Sequence, residues 1–551
     1  MKPRPRRTRR IPGPDVLLRR NRIPLTPPAG SLPRGYPGGH PGNRRFPARG
    51  TGHTPQVTSL WLSRTDTVHL DDTPWPEGPA RFDTVVVGAG LTGVVTALLL
   101  ARAGHRVAVL EARTVGVVTT GNTTGKVSLL QGSTLSSIAR GHSRDVLRNY
   151  VAGNLEAQRW VVQLCRERDL PIESAAAYTY SAGEESAATV RAEYEACRAA
   201  GLDARMTTET ELPYPVAAAV TLADQSQIDP MPLLHELVRE LRERGGALFT
   251  GCRVRKVRSD RNSCVAVTDR GDVQAGHIVL ATGTPILDRG GFFARLEPQR
   301  SYAAAFEVPG DVPSGMYLSV DSPTRSLRTA YGGQYFLVGG NGHTVGRAHD
   351  HRGAADDLVA WTGRHFPGAK TVARWSAQDY STLDHLPYVG PLLPGNDRLL
   401  VGTGYGKWGM TNAVAAARLL SDRILGEATP EWGSAFQAWS PTQVFDLPAA
   451  TRLNAAVAVE MTRGWMRAEF SGDGAPPPTG GGEVRREKLR PVGVCTVDGT
   501  THRVSAVCPH LGGVLRWNDA EASWDCPLHG SRFAADGRLL EGPATRDLPR
   551  E

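Results

Sequence analysis

The sequence predicts a two-part α/β chain. A large parallel-sheet domain with an α+β part interleaved into it is followed by a small all-β module at the C-terminus. Three observations carry this. Asp83-Thr84-Val85-Val86-Val87 is a short apolar strand running through glycines into an Ala/Leu-rich helix. Helical and strand periodicities then alternate along several hundred residues. A Gly/Pro run at 472–482, GDGAPPPTGGG, finally separates off a segment of short strands and turns.

At 551 residues, with 40% hydrophobic and 22% charged residues, the chain exceeds one ordinary core, so two or more domains are expected. The formal net charge of +9 is concentrated in residues 1–50, which are dense in arginine with only Asp15 to offset them. The remainder is close to neutral, which argues against a nucleic-acid partner. No apolar run approaches the roughly 20 residues of a bilayer span. No apolar stretch follows the paired arginines at the N-terminus, so no secretory signal is expected. Peripheral membrane contact stays open. The seven cysteines show no disulfide spacing, which makes a reducing cytoplasm the expected setting.

In chain order, residues 1–56 are basic, Pro/Gly-rich and aperiodic, and are expected to be a disordered extension. VTSLWLSRT from Val57 resembles the start of related flavoproteins, so the upstream segment also reads as an over-extended gene product. The strand at Asp83–Val87, a helix to Ala103 and a second strand at Arg106–Leu110 form a βαβ opening of Rossmann type. Helices are predicted at about 144–170, 187–200 and 230–245, short strands between 248 and 282, and sheet with turns at about 290–375. A helix at about 411–426 closes the large domain. Residues 57–440 then form one large unit, 441–482 a helix and linker, and 483–551 the terminal module.

Gly88-Ala89-Gly90-Leu91-Thr92-Gly93 is a GxGxxG between strand and helix. Gly88 permits the tight turn, Gly90 lets backbone approach a pyrophosphate, and Gly93 lets the helix pack on the sheet. Glu111, at the end of the second strand, is placed to accept from ribose hydroxyls. The fingerprint does not by itself separate FAD from NAD. Further stretches resemble the D-amino-acid oxidase / glycine oxidase superfamily across about residues 81–430. Thr119–Lys126, with Thr120 and Thr124, matches the loop that wraps the pyrophosphate. Val254 and the Ala281-Thr282-Gly283 turn resemble the returning strands. Gly402–Thr411, including Gly404, Gly409, Met410 and Thr411, precedes the last helix as the family's flavin-ring loop does. Trp375–Tyr380 runs into Asp384–Gly390, and this stretch resembles the family's D-x-x-P-x-[IV]-G segment before the final strand. The resemblance implies FAD, with FAD-binding parts at about 81–170, 215–290 and 375–430 and substrate parts at about 171–214 and 291–374. It also implies hydride removal from a carbon next to nitrogen or oxygen. No catalytic base is assigned. Tyr302, Tyr331, Tyr335, His385 and Lys407 are candidates by position, and Lys407 resembles a flavin-side lysine that assists oxygen in some amine oxidases.

Cys508-Pro509-His510 and Cys526-Pro527-Leu528-His529 place one Cys and one His on each of two loops. A Rieske 2Fe–2S centre needs two thiolates on one iron and two neutral imidazoles on the other. The competing reading is a mononuclear Cys2His2 zinc site, whose usual ligand spacing differs. The module resembles the Rieske proteins of cytochrome bc complexes. Where these carry an inter-loop disulfide, this chain has Gly513 and Leu528. Ser531 matches their hydroxyl donor, while Phe533 stands at their tyrosine, which implies an intermediate potential.

Together these imply an α/β Rossmann-type FAD-binding domain with an interleaved α+β substrate domain, plus a small C-terminal all-β Rieske domain. The expected activity is a dehydrogenase acting on a small amine, amino acid or hydroxy compound and passing electrons through the cluster to an unidentified acceptor. The alternative is a flavin oxidase whose Rieske module serves redox sensing or partner docking. The linker implies a mobile module.

Overall fold

The computed structural model describes residues 58–64, 73–260, 263–440, 447–468, 474–487 and 490–551. The expected extension at 1–56 lies outside the described residues. Those described all fall within one unit, Thr54–Glu551.

Strand Ala80–Val87 pairs in parallel with Val107–Leu110 on one side and Gly271–Leu280 on the other. Ala247–Phe249 extends the sheet past the first, and Leu399–Thr403 past the second, both in parallel. Tyr388–Pro391 closes one edge in antiparallel sense. Val85 and Val86 are fully buried because helices cover a parallel sheet. Helix Leu91–Arg102 is buried almost all round, between the sheet and helices Pro230–Glu243 and Gly409–Leu425. The βαβ opening, the helices and the returning strands thus stand where the patterns place them.

A second, nine-stranded sheet runs Lys370–Thr382, Leu296–Glu307, Tyr335–Thr344, Arg325–Ala330, Met316–Ser319, Ile172–Ser181, Ala218–Ile228 and Lys126–Val127, with Arg205–Thr207 alongside. Its membership moves the expected internal borders, because Ala218–Ile228 and the 375–382 part of Lys370–Thr382 belong here and not to the nucleotide part. The segment read as sheet with turns also contains a helix, His351–His365, capped by Asp350 accepting from the Gly353 N–H at 2.7 Å. It buries only His351, Leu358 and Thr362, so its apolar stripe is too thin to show as periodicity.

Helix Leu447–Ala468 leads to the C-terminal module, a three-stranded sheet (Gly482–Val497 hairpin and Thr500–Ser505) and a four-stranded one (Arg516–Glu541). Trp524, Phe533, Leu528, Leu515 and Leu539 fill its core. Here the expectation of a mobile module is corrected. Arg300 of the second sheet pairs with Glu521 at 2.6 Å, and Gln378 donates to the Gly530 carbonyl at 2.8 Å. Gly346 and Gly530 lie so close to the facing chain that an added Cβ would meet Pro527 at 2.7 Å and Pro298 at 2.6 Å. From Gly474 on, the linker is hydrogen-bonded to the module, with Arg485 donating to the Gly474 carbonyl at 2.6 Å and Trp517 to that of Gly480 at 3.0 Å. Among the described residues no helix is long and apolar enough to cross a membrane.

Candidate functional site: a nucleotide cavity beside a paired Cys/His site

A large cavity begins at the βαβ turn and ends under the second sheet. Gly88 adopts a φ of +105°, and a Cβ there would stand 2.5 Å from the Ala281 carbonyl, so only glycine fits. Gly90, Leu91 and Thr92 line the cavity where the helix begins, and Gly90 brings no side-chain cap of its own. An anion placed there meets first-turn N–H groups and the positive end of the helix. Glu111 accepts from the Ala89 and Arg113 N–H groups, each at 2.8 Å, and lines the cavity with its remaining lone pairs. Burial raises its carboxyl pKa, and these two N–H bonds oppose the shift.

Thr120, Thr124, Val254, Gly283, Gly409 and Met410 line the same space. Four expected contacts do not. Ala89 is buried behind the turn, and Gly93 serves packing alone, since a Cβ there would stand 1.9 Å from the Gly88 carbonyl. Gly404 makes a positive-φ turn against Thr382, and Thr411 is buried in hydrogen bonds with Asn154 and Gln131. The cradle of bare glycine backbone with an acidic residue beside it fits a dinucleotide with two phosphates, and FAD among these, because the cavity continues beneath a second domain.

At that far end Lys126, Ser301, Ser326, Asp379 and Lys407 line the wall. Lys126 donates to the Tyr317 carbonyl and to Ser326 Oγ, both at 2.8 Å, and burial depresses its pKa to about 7. Burial raises the Asp379 carboxyl to about 6 even though it accepts from the Lys407 N–H at 2.6 Å. Tyr302 also reaches the cavity, with its hydroxyl 2.9 Å from His351 Nδ1. His385 is exposed on a positive-φ turn outside the cavity, while Tyr331 and Tyr335 face Asp229 and Arg64. Sequence reading missed Lys126 and Asp379, which lie inside stretches singled out for other reasons. It also missed Ser59 and Trp61, whose side chains donate to the Gly121 and Thr123 carbonyls and fix the loop Thr119–Lys126.

The strands Leu296–Glu307 and Lys370–Thr382 form the partition on which the site is built. Side chains alternate across a strand, and directly opposed residues share a face. Gln299 and Ser301 oppose Asp379 and Ala377, and all four line the cavity. Arg300 opposes Gln378, bonds to it at 3.1 Å, and both face the C-terminal module.

Beyond this partition the Cys508 and Cys526 thiols are hydrogen-bonded to each other, which lowers the pKa of the Cys508 thiol. His510 and His529 stand with ring centroids 5.1 Å apart. His529 Nδ1 is buried without a hydrogen-bond partner, and burial holds the ring neutral by depressing its pKa to about 4. Two paired thiols and two facing imidazoles, the one at His529 held neutral with an open nitrogen, are the donor set of a 2Fe–2S cluster with mixed ligation. Gly512 and Gly530, at φ +75° and +77°, turn the two loops. A Cβ on Gly513 would stand 2.6 Å from Leu528, so the two loops touch where no disulfide is present. Ser531 bonds to Cys508 and its Oγ accepts from the Ala544 N–H at 2.9 Å. His510 Nε2 lies 2.5 Å from Asp288 Oδ1 of the large domain.

Residues 83–423 match the FAD dependent oxidoreductase family and residues 482–550 the Rieske [2Fe-2S] domain. The putative Rieske 2Fe-2S iron-sulfur protein YhfW of Bacillus subtilis is 29% identical over 498 residues, 89% of this chain and 96% of that protein. The cytochrome b6-f complex iron-sulfur subunit of a Synechococcus strain is 51% identical over 45 residues, 8% of this chain and 26% of its own. In fold, the chain resembles glycine oxidase from Geobacillus kaustophilus, with a TM-score of 0.57 at 21% identity, over 65% of this chain and 99% of that one. It likewise resembles L-proline dehydrogenase from P. horikoshii, with a TM-score of 0.53 at 16% identity, over 66% and 98%. A glycine-lined nucleotide cavity thus sits beside a paired thiol and imidazole site, and the matches run in the same order: the chain belongs to the FAD dependent oxidoreductase family and carries a Rieske [2Fe-2S] domain at its C-terminal end.

Proposed function

We propose that the enzyme is a dehydrogenase that oxidises a small amine, amino acid or hydroxy compound in the cavity and delivers the electrons to its own Rieske module. When bound, FAD supplies hydride acceptance and single-electron release, and the cluster supplies one-electron transfer. The residues proposed to hold FAD are Gly88, Gly90, Leu91, Thr92, Glu111, Thr120, Thr124, Val254, Gly283, Gly409 and Met410. Those proposed to hold the cluster are Cys508, His510, Cys526 and His529. The observation that carries the reading is the shared partition: Ala377 and Asp379 line the cavity while Gln378, between them, bonds to the Gly530 carbonyl in the second cluster loop. Lys126 and Asp379 supply one positive and one negative anchor for a zwitterionic or polar substrate, and Ser301 and Ser326 supply hydroxyls. Glycine, L-proline and other amino acids, named by the fold relatives, are the first compounds to screen. The free cysteines fit a reducing cytoplasm.

A second reading, a flavin oxidase whose module serves redox sensing or docking, has Lys407 at the cavity in its favour. Anaerobic addition of substrate separates the two. The relay requires that flavin bleaching be followed by the EPR signal of a reduced Rieske centre, and bleaching with no such signal refutes it.

A further inference from the structure

The nucleotide cavity is not walled by the large domain alone. Leu540, Glu541, Gly542, Ala544 and Thr545, at the end of the Rieske module, line it at the end where Glu111, Arg113 and Arg253 stand. Two arginines of the large domain hold this segment in place: Arg253 donates to the Leu539 carbonyl at 3.0 Å and Arg255 to that of Thr545 at 2.6 Å. Tyr380 donates to the Gly542 carbonyl at 3.2 Å, and its ring is the neighbour a Cβ on Gly283 would meet at 3.3 Å. The wall is therefore continuous from the Gly283 turn, through Tyr380, to the module. Glu541 is 9% exposed and lies among Arg113, Arg300 and Arg532, and burial raises its carboxyl to about 7 even against these three cations, so it is enclosed and not left to solvent.

We propose that the segment 539–545 of the Rieske module is the outer wall of the FAD site on its adenosine side, so that the chain retains its flavin nucleotide only with the module docked. The physical reason is burial. A ligand enclosed on all sides loses more solvent contact than one held in an open groove, and it leaves only when a wall moves. A dinucleotide held across the βαβ turn with its ribose against Glu111 places its adenosine end under this segment. The two domains are then joined by their shared ligand as well as by the buried ion pairs. The inference rests on placing FAD in this cavity with its ribose at Glu111, and does not depend on electron relay.

Hydrogen exchange on the full, cluster-loaded chain tests it with ADP, the adenosine half alone, and with FMN, the flavin half alone. ADP is expected to slow exchange both in a peptide spanning 83–95 and in one spanning 537–548, whereas FMN leaves the second unchanged. In parallel, Arg255→Ala, which removes a bond outside the cavity, is expected to raise the FAD dissociation constant at least fivefold. The Rieske absorption and iron content should stay those of the wild type. Arg503→Ala, which removes an exposed ion pair with Glu487 within the module, is the control and leaves FAD affinity as it was. Protection by ADP at 83–95 without protection at 537–548 overturns the wall while leaving the FAD placement standing. Protection at neither overturns both. An unchanged FAD affinity in Arg255→Ala with its cluster intact also overturns the proposal.

Discussion

Arg300 and Glu521 lie 221 positions apart in sequence and meet as an ion pair at 2.6 Å, with side chains 2% and 7% exposed. Glu521 also takes Arg532 of its own module, so one carboxylate joins the partition strand to the cluster-bearing sheet. Removing one partner of a buried pair leaves an uncompensated charge and costs about 3–5 kcal/mol, whereas replacing both by apolar residues is often near neutral. Arg300→Ala is therefore expected to lower stability by about 3 kcal/mol in denaturant unfolding of the full chain. The double variant Arg300→Met with Glu521→Leu should recover much of that loss. Equal losses in both would remove the pair from the docking argument.

The same pair sets an acid limit. Burial alone would raise the Glu521 carboxyl, but Arg300 and Arg532 outweigh it and hold the pKa below its ordinary 4.5. A depressed folded value means the stabilisation is fully present above the unfolded pKa and is lost as pH falls through the folded one. Docking is expected to weaken below about pH 4 in wild type. In the double apolar variant that acid dependence should shrink, as read by small-angle scattering or limited proteolysis between the domains.

Lys126 behaves in the opposite sense. Its ammonium is desolvated and further opposed by Arg328, giving a pKa of about 7 against an ordinary 10.5. Below pH 7 both folded and unfolded chains carry the charge, and the folded one bears the burial cost. From about 7 to 10.5 the unfolded chain holds the extra proton, so stability rises with pH. Lys126→Met is expected to be more stable than wild type at pH 6 by a few kcal/mol, with the gap narrowing as pH rises. A gap that does not change with pH would mean that the ammonium is not buried as described. The same variant should bind an anionic substrate at least tenfold more weakly.

Much of this site is legible in the sequence because its chemistry is local. Gly88 to Gly93 sits within one turn, and each cluster loop holds its Cys and His within four residues, so spacing alone expresses geometry. What spacing does not express is which strand faces which. Asp379 stood inside a recognised stretch, yet its role as a cavity wall follows from its register opposite Gln299. His385 looked equivalent from its neighbouring motif, but a φ of +61° turns that residue outward to solvent. The module's docking was hidden because a Gly/Pro run reads as flexible by composition. The linker's anchors, Arg485 and Trp517, belong to the module itself, and the facing surfaces at Gly346 and Gly530 meet segments distant in sequence.

Asp379 offers a kinetic handle on the substrate end. Burial raises its carboxyl to about 6, opposed by the Tyr380 and Lys407 N–H groups that it accepts from. Above that pH the carboxylate is charged and can accept a hydrogen bond from a substrate amine or hydroxyl. The rate of anaerobic flavin reduction is expected to rise through about pH 6 in wild type. In Asp379→Asn that inflection should be absent and the plateau rate about tenfold lower, equivalent to about 1.4 kcal/mol. An inflection kept in Asp379→Asn would assign it to another group, with Lys126 next in line.

Phe533 provides the last test, on the cluster alone. Its ring is fully buried in the same apolar cluster as Cys508, Cys526 and Leu528, and it pairs in register with Trp524. A phenylalanine offers no donor to a ligand sulfur, whereas the neighbouring loop already supplies one through Ser531. A donated hydrogen bond favours the reduced, more negative cluster and so raises its potential. Phe533→Tyr adds one hydroxyl at this place. If that bond is worth about 1 kcal/mol more in the reduced state, the one-electron potential rises by about 40 mV. Ser531→Ala is expected to lower the potential by a similar amount. Protein-film voltammetry of the full chain reads both. A Phe533→Tyr variant at the wild-type potential would mean that the hydroxyl finds another acceptor in the module's core, and the lowered potential expected of this chain would then need a source other than residue 533.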